Sequence, residues 1–273
     1  MRAHRTLTLI IYATLTIALV VPASALAAKR LIIGGSTSVL PLQEKLAAAY
    51  HKQFPKIPAP EVTGGESDIG INGAATGRFD IGDSSRDPIK NVEPHGLVFT
   101  KIARDGVCIV TNSSNPLSNL SEEIVQGIFT GKVRDWSEVP GAGISGPIDL
   151  FDRNGASGTQ DAFQHIFLGE TLQISPSATQ ESSNGLEQQA VEGDKQAIGF
   201  VSFAYITHVH AVNYEGVQCT LHNARSGQYA GVRNFWMVTK GEPRGEAAKY
   251  IAWVTSGKKN VDAIINSSWI AVH

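Results

Sequence analysis

Hydroxyl side chains and one arginine gather in the stretch Asp152-Arg153-Asn154-Gly155-Ala156-Ser157-Gly158-Thr159-Gln160, a composition suited to holding an oxyanion. The apolar run before it, Ile148 to Phe151, reads as a strand, and the apolar residues of Asp161 to Leu168 recur at helical spacing. Ser157, Gly158 and Thr159 therefore fall in the first turn of a helix. That turn has backbone N–H groups without intrahelical partners and lies at the positive end of the helix dipole. Arg153 adds a planar fork of donors that matches a tetrahedral anion. A small hydroxyl residue also caps a helix whatever the function, so this stretch alone leaves the cap and the anion site at even standing.

The same order of strand, small polar turn and helix recurs along the chain. Arg30 to Ile33 is a short apolar run ended by Gly34-Gly35, after which Ser36-Thr37-Ser38 leads into a helical pattern from Leu42 to Tyr50. A phosphate-cradling loop of nucleotide-binding proteins would end in Gly-Lys-Ser or Gly-Lys-Thr, and this turn does not. Glu61 to Thr63 reads as a strand that leads through Gly64-Gly65-Glu66 to Ser67, with a short helix over Ile71 to Gly77. Arg78 to Gly82 is a strand ending in Asp83-Ser84-Ser85-Arg86. Open α/β sheets bind ligands at such strand-to-helix connections, and several converging on one anion are harder to explain as caps.

The remaining elements must position these turns. Leu97 to Ala103 and Gly106 to Thr111 read as two strands split by Arg104-Asp105, the second crossing between lobes. Ser121 caps a helix over Glu122 to Phe129, which Gly131-Lys132 ends, and Trp136 reads as a packing aromatic. A helix at Gly185 to Val191 and strands at Ala197 to Phe203, Val209 to Tyr214 and Gly231 to Thr239 follow, with closing helices at Gly245 to Thr255 and Val261 to Ile265. This alternation predicts an α/β fold.

Length and termini bound the rest. A chain of 273 residues that is 42% hydrophobic can bury two cores. Arg2 and Arg5 precede an apolar run from Leu7 to Val21, then Pro22 and small residues, which is the order of a secretory signal peptide over residues 1–28. Its removal takes the net charge from -2 to about -4. The expected product is a periplasmic protein with no basic run for nucleic acid. An oxidising compartment permits Cys108 and Cys219 to pair, but Cys108 lies in the apolar run Val107 to Val110, which favours a buried thiol.

Taken together, the motifs resemble the periplasmic phosphate-binding proteins of ABC phosphate importers, of the type II periplasmic binding protein fold. The motifs are Gly35-Ser36-Thr37-Ser38, Asp80-Ile81-Gly82-Asp83-Ser84-Ser85-Arg86, Ile128-Phe129-Thr130-Gly131-Lys132 with Trp136, Arg153 with Ser157-Gly158-Thr159, and Ala197 to Val201. The resemblance covers nearly all the mature chain. It implies two lobes, each a central sheet flanked by helices, with residues 29–106 and 221–273 in the first, residues 107–220 in the second, and a hinge of crossing strands. It further implies a monomer without cofactor or metal that closes on inorganic phosphate and docks on membrane permease subunits. Carried over by position, the phosphate contacts would be Thr37, Ser38, Ser67, Ser85, Arg153, Ser157, Gly158 and Thr159, with Ser36, Asp83, Ser84, Arg86 and Asp152 as secondary candidates. At Ser85 well-known members have an aspartate that accepts the proton of hydrogen phosphate; Asp83, Asp152 and Asp68 are the available substitutes, and without one, discrimination would fall to rotating hydroxyls and be weaker.

Other functions fit less well. A serine hydrolase would need the nucleophile elbow, and Gly155-Ala156-Ser157-Gly158-Thr159 lacks its final glycine. His208 and His210 have no third ligand at metal-binding spacing. A binder of another tetrahedral oxyanion, or a periplasmic phosphate sensor that signals to a membrane receptor, would share the same site residues.

Overall fold

The computed structural model describes residues 29–272; the signal-peptide reading of residues 1–28 lies outside them. Strands are β1 (Ile32–Ser36), β2 (Glu61–Gly65), β3 (Ile81–Ser84), β4 (Leu97–Asn112), β5 (Asn119–Leu120), β6 (Asp149–Arg153), β7 (Thr179–Glu181), β8 (Ala197–Ser202), β9 (Val209–Ala211), β10 (Asn213–Tyr214) and β11 (Val232–Lys240). Helices are α1 (Leu40–Gln53), α2 (Ser67–Thr76), α3 (Glu122–Phe129), α4 (Gly158–Phe163), α5 (Asn184–Gly193), α6 (Leu221–Arg225), α7 (Gly245–Val254) and α8 (Lys259–Ile265). The predicted α/β class is the one observed, and two lobes share one continuous path of strands, β2-β1-β3-β11-β4-β8-β6-β7.

β4 is the strand that joins the lobes. Its first part pairs with β11 from Leu97 to Gly106, and its second part pairs with β8 from Val107 to Thr111. The expected break at Arg104-Asp105 does not occur. Asp105 stays inside the strand because Arg233, its cross-strand partner on β11, neutralises it at 2.9 Å.

Each lobe has its own core. One gathers Ile33, Leu42, Leu46, Tyr50, Ile81, Phe235, Met237, Tyr250 and Trp253 around β1, β3 and β11. Leu42, Leu46 and Tyr50 recur at the four-residue spacing that gives α1 its buried face. The other holds Val107 to Val110, Phe129, Trp136, Phe163, Phe200 and Val201. Phe163 of α4 stacks on Phe200 of β8 at 4.0 Å and tilts against Phe129 of α3 at 4.4 Å. That stack fixes α4, and with it the turn that carries Ser157 to Thr159; truncating a ring buried this way costs about 3–5 kcal/mol.

Two expectations need correction. The stretch 221–230, placed with the first lobe on sequence, packs on the second core through Ala224 and Tyr229. Cys108 and Cys219 form a disulfide with Cα atoms 5.7 Å apart, not two buried thiols. The bond ties β4 to the segment just before α6, a meeting across 111 residues of sequence that local composition could not reveal.

Candidate anion-binding site

The polar turns converge where the parallel strands end. β1, β2 and β3 run parallel in one lobe and β6, β7 and β8 run parallel in the other, so Ser36 to Ser38, Ser67, Ser85 and Ser157 to Thr159 all follow strand ends at one level. Ser38, Ser67, Ser85 and Thr159 are almost wholly buried.

Their hydroxyls form two linked groups. In the first, Ser36 Oγ donates to Ser85 Oγ at 2.8 Å, Ser67 Oγ lies 3.3 Å from Ser85 Oγ, and the Ser85 N–H donates to Ser67 Oγ at 3.0 Å. In the second, Ser38 Oγ meets Thr159 Oγ1 across the lobes at 2.9 Å. Asn184 Nδ2 donates to Ser38 Oγ at 2.9 Å and to Thr37 Oγ1 at 3.1 Å. Gly158 lies between the groups: a Cβ there would fall 2.2 Å from Ser67 Oγ and 2.7 Å from Ser85 Oγ. Glycine at this position is what allows the second lobe to approach the first so closely.

Capping does not account for the first-lobe hydroxyls. Val39, the residue before α1, makes no side-chain cap, and Ser38 Oγ bonds across the cleft instead. Ser157 does cap: its Oγ accepts from the N–H groups of Thr159 at 3.2 Å and Gln160 at 3.3 Å. Ser84 likewise closes a local turn, donating to the Arg86 carbonyl at 2.9 Å.

Two buried arginines bond across the lobes, and sequence reasoning named only one. Arg153 Nη2 donates to Glu66 Oε2 at 2.9 Å and Nε to the Glu181 carbonyl at 2.8 Å, while Nη1 has no partner among the described residues. The unforeseen Arg233 reaches the cluster itself. Its Nη2 donates to Ser38 Oγ at 2.7 Å and to Asp105 Oδ2 at 2.9 Å, and Nη1 donates to the Gly158 carbonyl at 3.1 Å. It thus bonds both lobes from the hinge strand. A signal existed: Arg233, Phe235 and Met237 alternate onto one buried face of β11, where a charge must have a partner. Asn184 gave no such signal, since its contacts lie on β1's turn far away in sequence.

Of the secondary candidates only Ser36 joins the cluster, through Ser85; the others separate from it. Asp83 is fully buried, its carboxyl pushed well up by burial, and it makes no hydrogen bond with the hydroxyls; its electrostatic neighbour is Tyr250 of α7. Asp152, held up to about 6 by burial, bonds Gln180 and not the cluster. Arg86 is occupied by Asp68 at 2.7 Å and by Glu93, so it anchors the loop after β3. Asp68 is therefore committed to Arg86.

Chemically, the cluster is made for hydrogen bonding. Hydroxyls rotate to donate or accept, so side chains that satisfy one another here can turn to donate to an oxyanion. Each arginine is balanced by a carboxylate, Arg233 by Asp105 and Arg153 by Glu66, and among the described residues no histidine bonds to the hydroxyls. The arrangement offers donors in a dry, enclosed setting without a paired nucleophile and base.

A family model for the PBP superfamily domain matches residues 20–258. The chain belongs to this superfamily. It is 31% identical to a candidate phosphate ABC transporter substrate-binding protein with bound phosphate from Clostridium perfringens, covering 90% of this chain and all of that one, with a TM-score of 0.82. The phosphate-binding protein PstS of Bacillus subtilis is 26% identical over 89% of this chain and 80% of its own length. Phosphate-binding protein PstS 2 of Streptococcus agalactiae is 40% identical over 110 residues, which span 40% of this chain and 37% of that relative. The fold places the polar turns of this chain at strand ends where the two lobes meet.

Proposed function

We propose that the chain captures inorganic phosphate between its lobes and delivers it to the membrane permease subunits of an ABC importer. The observation that carries this reading is the buried set of hydroxyls from both lobes, Ser36, Ser38, Ser67, Ser85 and Thr159, gathered around Arg233. The phosphate named for the Clostridium, Bacillus and Streptococcus relatives supports it. Thr37, Gly158 and Asn184 complete the lining, Arg153 contributes through its unpartnered Nη1, and Ser157 acts by shaping the α4 turn. The first lobe comprises residues 29–106 with the chain after Ala230, and the second the chain between them. The solute-binding character of the superfamily favours a receptor over a catalyst. An exported protein fits the signal-peptide pattern, and among the described residues no helix is long and apolar enough to cross a membrane.

A second reading, a broader receptor for tetrahedral oxyanions, is favoured by one observation: neither Asp83 nor Asp152 reaches the hydroxyls to accept a phosphate proton. Calorimetric titration of the purified, anion-stripped protein with phosphate and sulfate separates the two. Phosphate binding at one site, tighter than sulfate, is the expected outcome. Equal affinities would favour the broader receptor, and no heat with either anion would contradict both.

A further inference from the structure

A cavity of about 480 Å³ adjoins the hydroxyl cluster, between the loop after β3 in the first lobe, α4 with the helical turn that follows it in the second, and the start of β11. Two members of the cluster, Ser85 and Arg233, line it. Its volume falls in the range of about 300–1,000 Å³ that holds whole small organic molecules, more room than a lone oxyanion needs. The apolar part of the wall is Pro88 and Ile89 from one lobe and Ala162 and Ile166 from the other. Of the polar residues on the wall, Arg86 is committed to Asp68 and Glu93, and Asp87 accepts from Asn234 Nδ2 and Trp236 Nε1 at 2.8 Å each. Lys90 and Asp161, also on the wall, are not spent in this way. Among the described residues Lys90 forms no ion pair, and the Asp161 carboxylate accepts no hydrogen bond, with His165 Nδ1 at 3.7 Å. A donor and an acceptor are therefore left for the hydroxyl groups of a ligand.

Resting on the phosphate reading above, we propose that the site also takes phosphate monoesters of small polyols, with the phosphoryl group among the hydroxyls and the organic group in the cavity. A monoester keeps a charge of about −1.5 to −2 at pH 7 and three acceptor oxygens, enough to engage donors from both lobes. Its fourth oxygen bridges to carbon and carries no proton. A carboxylate among the hydroxyls would stand unpaired against that oxygen, but neither Asp83 nor Asp152 reaches them. Ser85, on the boundary between cluster and cavity, presents instead a hydroxyl that can donate to it. The polyol then has the Lys90 ammonium and the Asp161 carboxylate for its O–H groups and Ile89 and Ile166 for its C–H groups, the mixture of apolar wall and few polar groups that fixes a small ligand.

The test is calorimetric titration of the anion-stripped protein with glycerol 3-phosphate, alone and in competition with phosphate. One-to-one binding that phosphate displaces is the expected result, and phosphorus NMR of the ligand released by denaturation should show the ester intact. Ile89→Trp and Ile166→Trp fill the cavity from opposite lobes, and neither residue belongs to the hydroxyl cluster. Each should weaken glycerol 3-phosphate about tenfold or more and leave phosphate within about twofold. Ile89 is 40% exposed on its loop, so its variant keeps the test alive where Ile166→Trp overpacks the fold. Phosphate that excess glycerol 3-phosphate does not displace, free phosphate as the only species released, or ester affinity unchanged in both variants would each overturn the proposal and leave the phosphate reading standing. Failure of the unaltered protein to bind either compound would contradict the phosphate reading and the proposal with it.

Discussion

Arg233 is the charged group whose loss should be felt most at the anion site, because its guanidinium bonds Ser38 of one lobe, Gly158 of the other and the buried Asp105 at once. Replacing it by alanine should weaken phosphate binding by about 2–5 kcal/mol, more than Arg153→Ala, whose guanidinium bonds Glu66 and the Glu181 carbonyl and none of the clustered hydroxyls. Calorimetry on the two variants checks the order, and a larger loss for Arg153→Ala would reverse the assignment. Glu187 offers a test of stability. Burial, outweighing the pull of Arg153 and the Phe200 N–H, lifts its carboxyl from 4.5 to about 8. Between those values the folded chain keeps a proton that the unfolded chain releases, so stability should be full below about pH 4.5 and fall by a few kcal/mol as pH rises through 8. Glu187→Gln should flatten that slope in denaturant titrations across pH. The serines and Thr159 were legible in sequence because each follows an apolar run at a turn. Arg233 was legible in principle, as a charge on the face of Phe235 and Met237. Asn184 was not, because its role depends on contacts with Thr37 and Ser38 that only the folded chain creates.

Gly158, at the start of α4, tests how the turns must approach one another. A methyl group there would press on Ser67 Oγ and lie 2.9 Å from the backbone nitrogen of Arg86. Gly158→Ala should therefore hold the lobes apart and weaken anion binding by about tenfold or more, while each lobe keeps its core. Titration beside a thermal melt checks both parts; unchanged affinity would mean that the turns need not touch. Most elements could be read from their apolar pattern: α1 and α3 from the spacing of one buried face, and β8 as an unbroken run buried on both faces. The failures share a cause. β1 continues through Gly34 and Gly35 because both residues pair with β2, and β4 continues through Arg104 and Asp105 because β11 supplies the counter-charge. Pairing partners distant in sequence overrode local composition in both strands.

Across the whole molecule, two cores are joined by β4 and β11, and the disulfide fastens the second lobe's end of β4 to the segment before α6. Because it closes a long loop and avoids the hydroxyl cluster, Cys108→Ser with Cys219→Ser should cost about 2–4 kcal/mol of stability with phosphate affinity retained. Denaturant midpoints of the variant and of the unaltered protein measure this, and equal midpoints would show that the bond contributes nothing to the fold. The pairing could not be read from Cys108 alone, whose apolar neighbours suit a thiol as well as a half-cystine. The central claim is that one tetrahedral oxyanion is held between the lobes by hydroxyls around Arg233. Arsenate has the shape and charge of phosphate and scatters anomalously, so diffraction from crystals grown with it, recorded at the arsenic edge, locates the anion directly. A single arsenic peak within hydrogen-bonding reach of Ser38, Ser85, Thr159 and Arg233 is the predicted result; a peak elsewhere, or none among those side chains, would contradict the account.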